Sequence, residues 1–157
     1  MPIIKDKNKL NPIFLPFVNR IIEVAKSNGV QLIVNETLRT NDVQFAYYLQ
    51  GREGLLTVNK YRKEAGLYLL TEKENERIIT NKTSVNTREG HGAGLAVDLV
   101  PSEGWSAPQS KWDIIGKAVD IVAKYSVEHL ENIKMMLVWG GNWKSLKDTP
   151  HVELKYK

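Results

Sequence analysis

Apolar residues near the start of the chain recur at the three- and four-residue intervals of an amphipathic helix. The pattern runs from Asn11 to Asn28 and stops before Gly29, a residue suited to a helix C-terminal cap, while Pro12 suits a first helical turn. We therefore expect a helix over residues 11–28. Its buried face would consist of Phe14, Phe17, Val18, Ile21, Ile22 and Ala25.

Two shorter elements follow this helix. Residues 30–34 form a β-branched apolar run that predicts a strand. Residues 41–50 show helical spacing again, and Thr40 or Asn41 can cap that helix with a side-chain oxygen. The apolar positions of this second helix, which we expect to be buried, are Val43, Phe45, Ala46 and Leu49.

A long polar segment then separates these elements from the rest of the chain. Residues 51–89 are interrupted by glycines, and only Ile78 and Ile79 hint at an extended piece. A loop of this length usually carries function or is mobile. The sequence therefore predicts an irregular segment here.

The C-terminal half returns to regular patterns. Strands are predicted over residues 94–100, 135–139 and 151–154, and a helix over residues 110–125. The apolar side of that helix comprises Trp112, Ile115, Val119, Val122 and Tyr125. Helices come first and a small antiparallel sheet dominates the end, which predicts an α+β fold in one domain spanning residues 1–157.

Composition supports a single globular domain. The 157 residues are 42% apolar and 25% charged, both ordinary values, and one core is enough for a chain of this length. No apolar run approaches the roughly 18 residues of a membrane span, and the start lacks the apolar stretch of a secretory signal. We therefore expect neither membrane insertion nor self-directed export.

The charge and cysteine content narrow the chemistry. The chain is mildly basic, with 22 Lys and Arg against 18 Asp and Glu, but no basic stripe is present, so a nucleic-acid partner is not expected. Because there is no cysteine, a metal would have to be held by histidines and carboxylates. Only three histidines exist, at positions 91, 129 and 151.

The segment that begins at His91 places a histidine and a carboxylate among small residues. Strand alternation would put Gly94, Ala96 and Asp98 on one face. That small face would leave clearance for a substrate backbone beside a metal held by His91 and Asp98. A glycine-rich hairpin with a solvated Asp98 explains the segment equally well on its own.

A second cluster lies near the C-terminus, where Asp148 precedes His151 by three residues. Pro150 keeps Thr149 out of the helical region, so the pair lies on a loop that enters a strand. The helical zinc motif HExxH is absent from the chain. A surface Asp148 followed by a turn is the alternative for this pair in isolation.

Together the two clusters supply two imidazoles and one carboxylate. His91, Asp98 and His151 would hold zinc and leave a fourth position open, as in catalytic zinc sites. Asp148 is then the candidate general base. Arg39, between the first strand and the second helix, is the best candidate donor to a developing oxyanion, although a surface arginine is the plainer interpretation.

The remaining histidine and the tryptophans carry no motif. His129 is expected to be an exposed histidine at a helix end. Core or rim packing is the default for tryptophan, and we assign no catalytic role to Trp105, Trp112, Trp139 and Trp143.

The ordered motifs resemble a known enzyme family. His-x-x-Gly-x-Ala-x-Asp at 91–98, Trp-Gly-Gly-x-Trp at 139–143 and Asp-x-Pro-His-x-Glu at 148–153 are similar to motifs of the VanY-like zinc peptidases. That family comprises D-alanyl-D-alanine carboxypeptidases and L-alanyl-D-glutamate endopeptidases, and it shares its core fold with the hedgehog signalling domain. Upstream segments at 39–44 and 47–52 extend the resemblance to most of the chain.

The resemblance implies a role for each matching residue. The implied cofactor is Zn2+, held by His91, Asp98 and His151. Asp148 matches the catalytic base and Arg39 a substrate-binding, transition-state arginine, with Gln44 as a supporting polar residue of the same wall. Two positions depart from the family pattern, since Glu89 and Thr40 stand where serine is usual.

Within this family, short chains without an export signal or a wall-binding module look like bacteriophage endolysins, which wait in the host cytoplasm until they are released to the cell wall. The resemblance thus implies a monomeric endopeptidase of the peptidoglycan stem peptide, cutting between L-Ala and D-Glu, without a separate wall-binding domain. The alternatives are a D-alanyl-D-alanine carboxypeptidase, a non-catalytic zinc-containing wall-binding module and a glycan-cutting muramidase.

Overall fold

The computed structural model describes residues 3–157, which form five α-helices and four strands. In chain order these elements are α1 (Leu15–Ser27), β1 (Leu32–Glu36), α2 (Asn41–Leu49), α3 (Leu55–Glu64), β2 (Ala96–Pro101), α4 (Gln109–Tyr125), α5 (Val127–Ile133), β3 (Met135–Trp139) and β4 (His151–Tyr156). Short 3-10 turns lie at residues 7–9, 74–76, 90–93 and 140–142. The turn at 90–93 leads into β2, and the turn at 140–142 follows β3.

The four strands form one antiparallel sheet in the order β1-β2-β4-β3, which confirms the predicted α+β fold. Asp98 of β2 lies opposite Glu36 of β1 on one side and opposite His151 of β4 on the other. Directly opposed residues project from the same face of a sheet. Side chains that are far apart in sequence are therefore brought together on one face.

The other face of the sheet carries the main hydrophobic core. Val97 and Leu99, which flank Asp98 in β2, alternate onto this face and are fully buried. Helices α1 and α4 pack against each other and supply the helical side of the core. Its fully buried helical residues include Phe17, Val18, Ile21 and Ile115. The sheet thus separates an apolar side from a polar side.

The first helix and the first strand begin later than predicted. Helix α1 starts at Leu15, with Pro16 in its first turn, because the Asn11 side chain accepts a hydrogen bond at 3.0 Å from a backbone N–H two residues on and forms a separate turn. At the helix end Gly29 adopts a positive φ of 84°, which confirms its predicted role as a cap. The Val30 N–H donates to a helix carbonyl, so the strand begins only afterwards.

The prediction of an irregular segment over residues 51–89 was wrong for α3. This helix starts after Gly54 and packs against α2. The apolar residues of α3 do not recur with a helical period, so its sequence does not indicate a helix. Its exposed side includes Leu56, and its buried side includes the charged Arg62, whose Nε donates to the Tyr68 carbonyl at 2.7 Å. The later part of the segment, residues 65–89, is irregular apart from the 74–76 turn, as predicted.

The other predicted elements lie within two residues of their expected bounds, and Thr40 caps α2 as expected. Helix α5 was not predicted; it follows α4 directly, after Ser126. Two apolar side chains that were predicted to be buried are exposed, with Phe45 37% and Tyr125 80% accessible. Tyr125 is the last residue of α4, and the neighbouring Ala46 and Val122 are buried as predicted. Among the described residues, no helix combines the length and apolar character that crossing a bilayer requires.

Candidate metal centre

The structure brings His91, Asp98 and His151 together on the polar side of the sheet. His91 lies in the 90–93 turn just before β2, and His151 is the first residue of β4. His91 Nε2 is 3.3 Å from Asp98 Oδ1, and His151 Nδ1 is 3.5 Å from the same oxygen. One donor atom of each residue lies within 4.8 Å of the other two. The three side chains could therefore hold one metal ion.

A backbone carbonyl fixes the orientation of His91. Its Nδ1 is 2.7 Å from the carbonyl oxygen of Thr37, which can only accept a hydrogen bond. Nδ1 must therefore carry the proton, and the lone pair of the neutral ring is on Nε2, which faces Asp98. A hydrogen bond to the outer nitrogen is the usual means of orienting a metal-binding histidine.

Glu153 plays the corresponding part for His151. It lies two residues further along β4, so both side chains project from the same face. His151 Nε2 is 3.4 Å from Glu153 Oε1, a contact that is long for a hydrogen bond and acts mainly through charge. This leaves Nδ1 directed at Asp98. A role for Glu153 was not predicted. Its place in the Asp-x-Pro-His-x-Glu motif, two residues after a histidine on a predicted strand, is the signal that could have indicated one.

The site also perturbs its own ionisable groups. Burial alone would lower the pKa of His151, but contacts with Asp98 and Glu153 raise it to about 9. Burial alone would raise the pKa of Asp98, but the two imidazoles hold it well below its usual range. A negatively charged carboxylate between two buried imidazoles therefore attracts a positive charge, whether a proton or a metal ion.

The donor atoms fit a divalent cation. His91 Nε2 and Asp98 Oδ1 are buried, and neither forms a hydrogen bond within the described part of the chain. Buried polar atoms without a partner are costly and call for an explanation, which a metal ion would provide here. Two imidazole nitrogens and one carboxylate oxygen form a donor set that zinc accepts, with a further position left for a ligand.

Asp148 lies at the rim of this cluster. Its Oδ2 is 3.9 Å from His151 Nδ1, and 43% of its side chain is exposed. Burial is the main cause that raises the pKa of the Asp148 carboxyl, and the negative charge of Asp98 raises it further. The backbone holds Asp148 in place, because its N–H donates to the Gly140 carbonyl at 3.0 Å and its carbonyl accepts from the His151 N–H at 3.1 Å. The backbone of Asp148 is thus fixed, and its carboxylate is reachable from solvent.

Gly140 makes this loop arrangement possible. A Cβ at that position would collide with the Asp148 carbonyl oxygen and come within 3.0 Å of the His151 Cβ. Trp139 secures the same loop by donating from its indole N–H to the Thr149 carbonyl at 2.8 Å. The Trp-Gly-Gly segment therefore serves to pack the loop that carries Asp148 and His151, in keeping with the packing role expected of Trp139.

Arg39 is a largely buried part of the same region, with 15% of its side chain exposed, and not a surface arginine. Nε and Nη2 both donate to Glu36 Oε1, with an Nε distance of 3.2 Å, and Nη1 donates to Gln44 Oε1 at 2.9 Å. The Arg39 backbone N–H also donates to the His91 carbonyl at 3.2 Å. Burial alone would lower the pKa of Arg39, but the Glu36 carboxylate raises it. The guanidinium is therefore permanently charged.

Gln44 supports Arg39 from the opposite side. The residue is 4% exposed, and its Nε2 donates to Thr80 Oγ1 at 3.1 Å and to the Lys82 carbonyl at 2.8 Å. Its amide oxygen is engaged by Arg39. The structure thus places Gln44 as a brace between Arg39 and the segment around residue 81, and direct contact with a substrate stays a prediction.

The small residues beside Asp98 do not have the function predicted for them. Gly94 lies before β2, closes the 90–93 turn with φ 69°, and accepts a hydrogen bond at 2.9 Å from the Asn11 N–H. A Cβ on Gly94 would lie 2.9 Å from that same nitrogen. Ala96 is fully buried. The expected clearance for a substrate backbone was wrong, because Gly94 instead lets the N-terminal segment pack closely.

The positions that depart from the family pattern have different surroundings. Thr40 keeps the hydroxyl of the usual serine, and its Oγ1 accepts from the Val43 N–H at 3.4 Å to cap α2. Glu89 is half-buried just before the 90–93 turn and makes no capping hydrogen bond. His129, as expected, is exposed, and it stacks on Phe17 with ring centroids 5.5 Å apart.

Two histidines and an aspartate on a sheet face, with a carboxylate at the rim, form a site suited to metal-assisted hydrolysis. Residues 83–154 match the sequence model of the D-alanyl-D-alanine carboxypeptidase family. This stretch contains the three candidate metal ligands and Asp148, whereas Arg39 and Gln44 lie upstream of it. The match, together with the relatives below, confirms the predicted resemblance to the VanY-like peptidases.

Two relatives cover almost the whole chain. The L-alanyl-D-glutamate peptidase of Listeria phage A118 is 25% identical over 154 residues, or 96% of this chain, and the chain spans 40% of the length of that protein. The crystal structure of the L-Ala D-Glu endopeptidase ChiX of Serratia marcescens superimposes with a TM-score of 0.55 at 24% identity, covering 96% of this chain and 84% of the other. The second match confirms the fold class.

The geometry predicts one metal site that depends on Asp98. The purified protein, stripped by a chelator and titrated with Zn2+, should bind about one equivalent and gain thermal stability, because the ion stabilises only the folded site. Asp98→Ala should lose both effects, and the remote His129→Ala should retain them. Metal content by mass spectrometry and melting temperature measure the outcome. Undiminished binding by Asp98→Ala would disprove the assignment.

Glu153 should tune the affinity of that site without being a ligand. Glu153→Gln keeps the shape of the side chain but removes the charge that orients and polarises His151, so we expect zinc affinity to fall about 10- to 100-fold. Competition with a chromophoric chelator measures the change. The matched control is Glu131→Gln, on the exposed side of α5. Equal affinities for the two variants would remove Glu153 from the site.

Proposed function

We propose that this protein is a zinc peptidase that hydrolyses the stem peptide of bacterial peptidoglycan, between L-Ala and D-Glu, and that it acts as a phage endolysin. The observation that carries the proposal is the cluster of His91, Asp98 and His151 with the reachable carboxylate of Asp148 beside it. The choice of bond is supported by two relatives that are named as L-alanyl-D-glutamate peptidases. The lytic role is supported by the phage origin of one of them.

Zinc is proposed as the ion because the donor set is two imidazoles and a carboxylate without sulfur. When bound, zinc would lower the pKa of a coordinated water and polarise the carbonyl of the scissile peptide bond. The outer nitrogen of His91 donates to the Thr37 carbonyl and that of His151 faces the Glu153 carboxylate, so the nitrogens that face Asp98 are the ones placed to bind the ion.

Asp148 is proposed to move the proton. Its carboxylate lies 3.9 Å from His151 Nδ1 and is open to solvent, so a water molecule beside the metal centre is within its reach. Asp148 accepts the proton as this water attacks the carbonyl carbon, and it returns the proton to the amine when the peptide bond breaks. One group thus serves as base and then as acid.

Arg39 is proposed to bind the substrate and to stabilise the oxyanion that develops during attack. Its guanidinium has five N–H donors, of which Glu36 and Gln44 occupy three. Two donors are left for a substrate oxygen. Because the group is mostly buried and its position is fixed, its charge acts on a developing oxyanion at little reorganisation cost. Residues 1–157 are proposed to form one catalytic domain.

Asp148→Asn tests the proton-transfer role. The amide keeps the size of the side chain but cannot accept the proton, so hydrolysis of purified cell walls should fall by at least about 100-fold while zinc stays near one equivalent. Release of new amino groups measures the rate. Asp120→Asn, on the exposed side of α4, is the matched control and should retain activity. Full activity of Asp148→Asn would exclude it as the base.

Mass spectrometry of the fragments released from a defined peptidoglycan identifies the bond that is cleaved. The proposal predicts fragments with a new amino terminus on D-Glu. Loss of a terminal D-Ala alone would instead identify a D-alanyl-D-alanine carboxypeptidase, and new reducing sugar ends would identify a muramidase. Binding to the wall by the zinc-loaded protein without any released fragment would identify a non-catalytic module.

A further inference from the structure

We propose that Glu36 is the positioning residue that sets the orientation of Arg39 at the metal centre, an inference that rests on the proposed function. The sequence pattern predicts no role for Glu36, which lies beyond the strand predicted over residues 30–34. In the structure it is the last residue of β1, and its side chain is 4% exposed. A carboxylate buried this deeply requires a partner of opposite charge.

An irregularity in β1 directs Glu36 towards the site. Val34 pairs with Leu99, but Glu36 pairs with Asp98, so two residues of β1 advance against one residue of β2. This is the register shift of a β-bulge, with Asn35 as the extra residue. In an unbroken ladder the partner of Asp98 would be Asn35, and Glu36 would project towards the core. The bulge therefore brings the carboxylate onto the face that carries His151 and Asp98.

Glu36 is not one of the candidate metal ligands. The group of donor atoms within 4.8 Å of one another consists of His91, Asp98 and His151. Glu36 Oε1 lies 3.9 Å from His91 Nε2 and accepts both hydrogen bonds from Arg39. Its second oxygen is buried and has no hydrogen-bond partner within residues 3–157. The carboxylate thus holds Arg39 from beside the metal centre.

The contacts of Arg39 show what Glu36 controls. Glu36 binds the Nε edge of the guanidinium, Gln44 binds Nη1, and the Tyr47 ring covers one face at 4.8 Å from Cζ to the ring centroid. Of these partners only Glu36 carries a charge, and it takes two of the three occupied donors. Charge-assisted hydrogen bonds are about twice as strong as neutral ones. Removing the charge should therefore release the guanidinium from its working orientation.

The test is a double-mutant cycle of Glu36→Gln and Arg39→Ala, measured as kcat and KM on a soluble stem-peptide substrate with zinc-loaded protein. Glu36→Gln should lower kcat about 10- to 100-fold, since misplacement of a catalytic group by about 1 Å has effects of that size, while zinc content stays near one equivalent. In the Arg39→Ala background the same change should cause no further loss. Glu103→Gln, which removes the exposed partner of Lys111, is the matched control and should keep wild-type kcat.

A second measurement does not depend on activity. The Arg39 Nε–H proton should exchange slowly with solvent in the wild-type NMR spectrum, and rapidly in Glu36→Gln. Glu36→Asp, which keeps the charge, should restore part of the protection and part of kcat.

Two results with an active wild-type protein would overturn the role of Glu36 and leave the proposed function intact. One is an unchanged kcat for Glu36→Gln. The other is a loss of kcat on adding Glu36→Gln to the Arg39→Ala variant that equals its loss in the wild type. An inactive wild-type protein would overturn the proposed function itself.

Discussion

The antiparallel pairing of β2 with both β1 and β4 is the constraint on which the rest of the site depends. It places Asp98 between Glu36 and His151 on one face, while Val97 and Leu99 enter the core on the other. A slip by one residue would bury the carboxylate among apolar side chains and expose the core residues, at a cost of several kcal/mol. The packing that stabilises the fold therefore also fixes the metal centre.

The two imidazoles are oriented by chemically different partners. The outer nitrogen of His91 faces a neutral carbonyl, whereas that of His151 faces the carboxylate of Glu153. Both arrangements leave one nitrogen of each ring directed at Asp98. Around this point lie the carboxylates of Asp98, Glu153, Asp148 and Glu36, and the guanidinium of Arg39 partly offsets their charge. The surplus of negative charge favours a cation, and the fixed rings define where it binds.

Motif spacing and the family resemblance together were enough to predict the candidate ligands and Asp148, because glycine and proline mark the turn at His91 and the loop that carries Asp148 and His151. The fold class followed from the order of the predicted helices and strands. Long-range register was not predictable in this way. Glu36 joins the site only through a bulge, and the burial of Arg39 follows from Glu36. Helix α3 was missed since its buried face includes Arg62 and lacks an apolar period. The role of Gly94 was not predictable because it depends on close packing against the N-terminal segment around Asn11, which is distant in sequence.

The most direct test of the metal centre is a crystal structure of the zinc-loaded protein with diffraction data collected on both sides of the zinc absorption edge. We predict a single strong anomalous peak about 2.0–2.2 Å from His91 Nε2, His151 Nδ1 and Asp98 Oδ1. A peak bound by other side chains, or bound through His151 Nε2 with Glu153 displaced, would contradict the account.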